Sequence, residues 1–187
     1  VSNRFQVADC ARLGFKPKLS LKLKGGTKRG GHPKLRAVLK TKQGPDSKTP
    51  EANIASAVVR LPRSAFLDQA HIKTICTRVQ FAAGGGNGEQ CPSRSVYGQA
   101  SVKTPLLDDG LSGPVYLRSS DHELPDLVIA LHGIVDLNVV GRVDSVKGSI
   151  RSSFESTPDA PVDTFTLEMF GGSKGLIVNS RDLCARP

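Results

Sequence analysis

The sequence has few of the residues that mark membrane proteins and base-stacking nucleic-acid-binding domains. Of its 187 residues, none is Trp, two are Tyr and one is Met. The longest apolar run covers residues 127–131, whereas a membrane-spanning helix needs about 20 apolar residues. We therefore expect no membrane span. Between Lys16 and Lys48 there is no aromatic residue on which a base can stack, so we expect no specific nucleic acid partner.

The sequence also lacks the motifs of nucleotide-binding and zinc proteins. The glycine-rich segment 26–32 does not continue into the Gly-Lys-Ser/Thr of a phosphate loop. A second glycine-rich segment, 84–88, follows a predicted helix, whereas a dinucleotide fingerprint follows a strand. Cys-x-x-Cys does not occur. Gly-x-Ser-x-Gly occurs at residues 171–175 (GGSKG), but between two predicted strands, whereas the nucleophile turn of a hydrolase joins a strand to a helix. We expect no cofactor, no metal site and no enzymatic activity.

Two acidic segments leave alternatives open. In Asp121-His122-Glu123 a histidine lies between two acids, an arrangement that suits a general base or a weak metal site. No motif ties a nucleophile to it, and it supports a third-ranked hypothesis, an enzyme that acts on polysaccharide. Asp108 and Asp109 offer carboxylates for a surface Ca²⁺ site but lack the calcium-loop pattern.

The four cysteines are Cys10, Cys76, Cys91 and Cys184. An even number in a chain with 19 Gly and 12 Pro indicates two disulfides and an oxidising compartment, so we expect a secreted or cell-surface protein. A Cys76–Cys91 bridge would close a loop of about 15 residues, and a Cys10–Cys184 bridge would join the two ends. Four cysteines allow three connectivities, and the spacing alone does not choose among them.

The hydrophobic pattern is that of many short strands. In residues 19–24 (LSLKLK) strict alternation puts three leucines on one face of a strand and Ser20, Lys22 and Lys24 on the other. Residues 25–33 then form a hairpin loop. Further strands are predicted at 35–40, 54–61, 95–103, 114–119, 126–131, 134–140, 148–153, 164–170 and 176–178.

One stretch favours helix. Pro62 suits a helix start, and apolar residues within 62–81 allow a buried stripe, although Ile72 and Ile75 weaken it. Thr77 can cap a short second helix that runs to Phe81. The predicted architecture is mainly β, an antiparallel β-sandwich of the immunoglobulin or jelly-roll kind, with one or two short helices and two disulfides.

Charge is concentrated in the first third of the chain. Residues 1–60 contain fourteen Lys/Arg and three Asp/Glu, and the net charge of the whole chain is +9. Such a region can attract an acidic polysaccharide or cell-wall polymer. The simpler interpretation is a solvated strand face whose lysines discourage edge-to-edge pairing. The candidate polyanion-binding residues are Lys16, Lys18, Lys22, Lys24, Lys28, Arg29, Lys34 and Arg36.

Eight strings carry a family resemblance: residues 14–19 (GFKPKL), 53–55 (NIA), 61–62 (LP), 91–98 (CPSRSVYG), 111–117 (LSGPVYL), 124–128 (LPDLV), 154–161 (FESTPDAP) and 179–184 (NSRDLC). Together they resemble a family of large secreted, repeat-bearing, β-rich proteins of high-GC Gram-positive bacteria, the actinobacteria. The resemblance implies an extracellular module within a longer chain, and that residue 187 is a processing end. It supplies no catalytic residues.

These observations predict two units and one main function. Residues 1–9 form an extended segment, and residues 10–187 form a single β-rich domain with a helical insertion at about 62–83. The chain is expected to be an extracellular structural module, a filament or cell-surface subunit that self-associates by strand addition. Val1, Phe5 and Val7 are the predicted subunit-contact residues. The alternative is a binding module for an acidic cell-wall polymer or glycan.

Overall fold

The computed structural model describes residues 13–43 and 51–185. It confirms a mainly β protein, with 43% of the described residues in strands and 8% in helices. The strands, in chain order, are β1 Lys18–Lys24, β2 Lys34–Lys40, β3 Ala57–Arg60, β4 Ala65–Leu67, β5 Val96–Lys103, β6 Leu111–Arg118, β7 Asp126–Leu131, β8 Leu137–Val146, β9 Ser149–Phe154, β10 Thr164–Met169 and β11 Ile177–Asn179. The same part of the chain contains one α-helix, α1, at Arg78–Ala82.

Nine strands form one curled antiparallel sheet in the order β1-β2-β10-β5-β6-β7-β8-β9-β3. Strands β4 and β11 form a second, two-stranded antiparallel sheet. The two layers are therefore unequal, and the large sheet covers much of its apolar face by its own curvature. Among the described strands, this order leaves β1 and β3 at the edges of the large sheet.

The core lies on the inner face of the curled sheet. Leu117, Ile129, Leu131 and Val115 are at most 2% exposed, and Leu176 packs against the same cluster from the side of the small sheet. Alternate residues of β5 and β6 point inward, because successive side chains of a strand project to opposite faces. The inner face is thus apolar across the sheet, and this property extends to the edge strand β1.

The predicted helix at 62–81 is wrong for most of its length. Ala65–Leu67 is a strand that pairs with Ile177–Asn179, and the structure has a 3₁₀ turn at Gln69–His71. The pairing strand lies more than 100 residues away, so local periodicity does not contain this signal. The cap at Thr77 is present: its side chain accepts from the Gln80 N–H, and the Gln80 side chain accepts from the Thr77 N–H at 3.0 Å.

The predicted disulfide between Cys76 and Cys91 is present. Cys76 is fully buried, and its carbonyl accepts from the N–H of Ser119, so the bridge holds the α1 segment against β6. Cys184 is exposed, and its predicted partner Cys10 lies outside the described residues. The same holds for the predicted contact strand with Val1, Phe5 and Val7.

Candidate functional site

The edge strand β1 separates leucines from lysines on its two faces. Its antiparallel register sets Leu23 opposite Leu35 of β2, and Leu35 opposite Met169 of β10. Residues directly opposite each other project from the same face, so Leu23 lies on the inner, apolar face. By the same register, Leu19 and Leu21 share that face.

These leucines extend the apolar inner face beyond the part that the core covers. Leu19 is 60% exposed, Leu21 58% and Leu23 47%, whereas Leu35 on the neighbouring strand is partly buried against the core. One side of β1 pairs with β2, and the other is the edge of the sheet. An edge strand presents a row of unpaired backbone N–H and C=O groups. Among the described strands β1 thus has no second neighbour, and it combines this open side with exposed apolar side chains.

The outer face of β1 and β2 is basic. Five of the eight candidate polyanion-binding residues lie there: Lys18, Lys22, Lys24, Lys34 and Arg36. The other three are exposed but lie outside the strands, Lys16 before β1 and Lys28 and Arg29 in the loop between β1 and β2. The structure thus gathers most of the basic set on one surface.

A single carboxylate compensates part of this charge. Glu168 of β10 lies 2.5 Å from the Lys34 ammonium and 3.4 Å from the Arg36 guanidinium. Among the ion pairs formed between described residues, none includes Lys18, Lys22 or Lys24. The outermost strand is therefore the part of the basic face whose charge is least compensated.

Glu168→Gln is expected to reduce the dependence of stability on acid pH. The Lys34 hydrogen bond, supported by Arg36, holds the pKa of Glu168 below its ordinary 4.5. A lowered carboxyl pKa stabilises the folded state above pH 4.5, and this contribution is lost as the pH falls through the folded value. Between pH 7 and pH 3.5, the native protein should lose about 0.2–1 kcal/mol more than the variant in urea unfolding.

The control for this measurement is Glu123→Gln, which alters an exposed glutamate in a loop. It should leave the pH dependence unchanged. An identical pH profile for Glu168→Gln and the native protein would contradict the role assigned to Glu168.

An apolar cavity of about 90 Å³ lies between the curled sheet and the small sheet. Leu117, Leu127 and Phe154 line it from the large sheet, Phe66 and Ile177 from the small one. An apolar cavity of about 150 Å³ accommodates benzene. The smaller volume here does not hold an acyl chain, so the cavity does not favour a lipid carrier.

In the segment Asp121-His122-Glu123, the histidine contacts a carboxylate outside the segment. His122 Nε2 lies 2.9 Å from Asp126 Oδ1, and the other oxygen of Asp126 lies 3.2 Å from Arg118. The Ser120 hydroxyl donates to the carbonyls of His122 and Leu124. His122 thus belongs to a largely buried charged group that fixes the turn before β7, and the nearby hydroxyl is engaged with backbone.

Within residues 13–43 and 51–185, one group of three His, Cys, Asp or Glu side chains is close enough to share a metal ion. It consists of His32, Asp68 and His71 and includes neither Asp108 nor Asp109. Residue spacing does not predict this group, because His32 lies 36 residues before Asp68. The local signal is Asp68-x-x-His71, a spacing that brings the two side chains together on one helical turn.

The helices in the described part of the chain have at most five residues, and none is long enough to span a bilayer. Comparison of the chain with protein-family models, with curated protein sequences and with solved structures gives no match.

Proposed function

We propose that this protein is a non-enzymatic assembly module of an extracellular, oxidising compartment, in which β1 binds an extended strand of a partner. The observation that carries the proposal is the edge strand β1, with exposed leucines on one face and lysines on the other. The Cys76–Cys91 disulfide supports the compartment, since stable disulfides are rare in the cytosol.

The energy available at β1 is moderate. Complete burial of one leucine contributes about 2 kcal/mol, so covering three leucines that are about half exposed contributes roughly 3 kcal/mol. Three or four backbone hydrogen bonds along a seven-residue strand add roughly 3 kcal/mol. A total of about 6 kcal/mol corresponds to a Kd of roughly 40 μM at best, before the cost of ordering the strand. Such an interaction suits a module that acts in several copies.

Charge selects the chemistry of the partner strand. Lys18, Lys22 and Lys24 share one face of β1, so pairing two β1 strands would bring the lysines of both copies together on that face. Like charges opposite each other in a sheet are destabilising. The segment 1–7 of a second copy carries Arg4 and no carboxylate. We therefore infer a partner strand that alternates apolar residues with Asp or Glu, so that its acidic side chains lie beside the lysines.

Fluorescence anisotropy with a labelled seven-residue peptide that alternates Leu and Glu tests this proposal. Leu21→Gln should weaken binding at least fivefold, because it removes an apolar contact at the centre of the strand. The matched control is Ile134→Gln, which changes a residue that is 82% exposed and distant from β1 in the sheet order. It should bind as the native protein does.

Three outcomes separate the alternatives. Lys22→Glu should weaken binding of the Leu/Glu peptide and strengthen binding of a Leu/Lys peptide. If Leu21→Gln has no effect on either peptide, strand addition at β1 is excluded. If the native protein dimerises in sedimentation at peptide-binding concentrations and Leu21→Gln abolishes the dimer, the partner strand is a second copy and the inferred acidic partner is wrong.

The basic outer face favours a second candidate function, binding of an acidic polysaccharide. In the described part of the chain, the outer face of β1 and β2 carries six cations, the five candidates and Lys40, and the carboxylate paired with them is that of Glu168. Binding of this kind weakens steeply with salt. On an alginate matrix, Lys22→Glu combined with Lys24→Glu should elute at markedly lower salt than the native protein, whereas Leu21→Gln should elute unchanged. Equal elution of all three proteins would exclude this candidate.

A further inference from the structure

His32, Asp68 and His71 come together where the loop before β2 meets the small sheet. His32 Nε2 lies 2.7 Å from Asp68 Oδ2, and His71 Nε2 lies 3.8 Å from the same oxygen. The two imidazole rings are stacked, with centroids 3.9 Å apart. The side chains are 16–24% exposed, so solvent ions can reach a group that is otherwise enclosed.

The structure orients two of these side chains for coordination. His71 Nδ1 lies 2.9 Å from the Gly175 carbonyl, which can only accept a hydrogen bond. His71 therefore carries its proton on Nδ1 and presents the lone pair of Nε2 toward Asp68. A metal-bound histidine is commonly oriented by a backbone carbonyl that accepts a hydrogen bond from its second ring nitrogen. Asp68 caps the following 3₁₀ turn with Oδ1, which accepts from the Ala70 N–H at 3.0 Å, and this leaves Oδ2 for the histidines.

The third side chain, His32, is held by glycines. The His32 carbonyl accepts from the N–H of Gly172 at 2.9 Å. A Cβ on Gly175 would lie 2.6 Å from the His32 Cβ, and a Cβ on Gly26 would lie 2.5 Å from the His32 backbone. There is no room for a side chain at Gly26 or at Gly175. The close approach of these glycines to His32 fixes its imidazole beside Asp68. The His32 hydrogen bond also holds the pKa of Asp68 below its ordinary 3.8, so the carboxylate is charged at neutral pH.

We propose that His32, Asp68 and His71 form a Zn²⁺ site with two imidazole ligands and one carboxylate. Two nitrogens and one oxygen, with a water molecule as the fourth ligand, are a common donor set for this ion. Bonds of about 2.0–2.1 Å in tetrahedral geometry place ligand atoms roughly 3.4 Å apart. To reach this spacing, the distance from Asp68 Oδ2 to His32 Nε2 must lengthen from 2.7 Å. The distance from the same oxygen to His71 Nε2 must shorten from 3.8 Å, and each change is less than an ångström. The proton shared by His32 and Asp68 moves to His32 Nδ1 or to solvent.

The bound ion would join elements that are distant in sequence. His32 lies in the loop that leads into β2, and Asp68 and His71 follow β4. Zinc bound to the folded state alone raises the melting temperature, and the rise increases with zinc concentration. At a hundredfold excess over Kd we expect a rise of several degrees, reversed by EDTA.

Titration calorimetry with ZnCl₂ tests the site, with the full chain in its oxidised form and free thiols blocked. We expect one ion per chain, and His71→Gln or Asp68→Asn should weaken its binding at least thirtyfold. Asn retains the oxygen that caps the turn, so Asp68→Asn is designed to fold. The matched control is His132→Gln, which alters another His–carboxylate pair, 3.0 Å from Asp136. It should bind zinc as the native protein does.

Two results would overturn the proposal. One is unchanged zinc affinity in Asp68→Asn and His71→Gln, or an equal loss in His132→Gln. The other comes from X-ray absorption of the zinc-loaded native protein, which needs no variant. We predict nitrogen and oxygen ligands at about 2.0–2.1 Å with the scattering of two imidazoles; a shell with fewer than two imidazoles, or with sulfur at about 2.3 Å, would contradict the site.

Discussion

Replacing Cys76 and Cys91 together by alanine is expected to lower the free energy of unfolding by about 3 kcal/mol. The bridge closes a loop of 15 residues, and its loss gives the unfolded chain more conformational freedom. For a chain of this size the change corresponds to a fall in melting temperature of roughly 6–12 °C. Urea unfolding under oxidising conditions measures it directly.

The control for the disulfide is Val79→Ala, within the same loop. Val79 is 80% exposed on α1, so the substitution should change stability by less than about 0.5 kcal/mol. A double cysteine variant as stable as this control would show that the bridge does not restrain the unfolded chain.

Leu117→Ala is expected to destabilise the protein by about 2–5 kcal/mol. Leu117 is 2% exposed at the centre of the inner face and also lines the apolar cavity. The substitution removes buried apolar surface and enlarges a void that its neighbours already leave unfilled, so relaxation should recover little of the loss. The difference in the free energy of unfolding between the variant and the native protein is measured by urea unfolding.

Leu106→Ala is the matched control for the core. The same three carbons are deleted from a residue that is 65% exposed, in the turn between β5 and β6. A change below about 0.5 kcal/mol is expected. If both leucine variants lose similar stability, the inner face of the curled sheet is not the main core.

Strand β1 was accessible to sequence reasoning because its signal is local. The alternation in LSLKLK depends on neighbouring residues alone, and it predicted both the strand and the separation of leucines from Ser20, Lys22 and Lys24. Its position at the sheet edge was not predictable, since strand order depends on pairings between distant segments. β2 pairs with β10, more than 120 residues later in the chain.

The predicted helix at 62–81 is wrong for the same reason, a pairing between distant segments. Pro62 and the apolar residues after it are compatible with a helix, but Ala65–Leu67 satisfies its backbone by pairing with β11. The His32–Asp68–His71 group depends on that pairing as well, because it positions Asp68 beside the loop that carries His32. A side-chain group assembled from segments that are distant in sequence leaves little trace in residue spacing.

Hydrogen exchange of the backbone amides, with and without the alternating Leu/Glu peptide, tests strand addition at β1 most directly. Every second amide of β1 faces the side on which no described strand pairs with it, and it should exchange quickly in the unbound protein. We predict that saturating peptide slows exchange at these amides and leaves β3, at the opposite edge, unchanged. Binding without added protection in β1, or with protection at β3 instead, would contradict the proposed function.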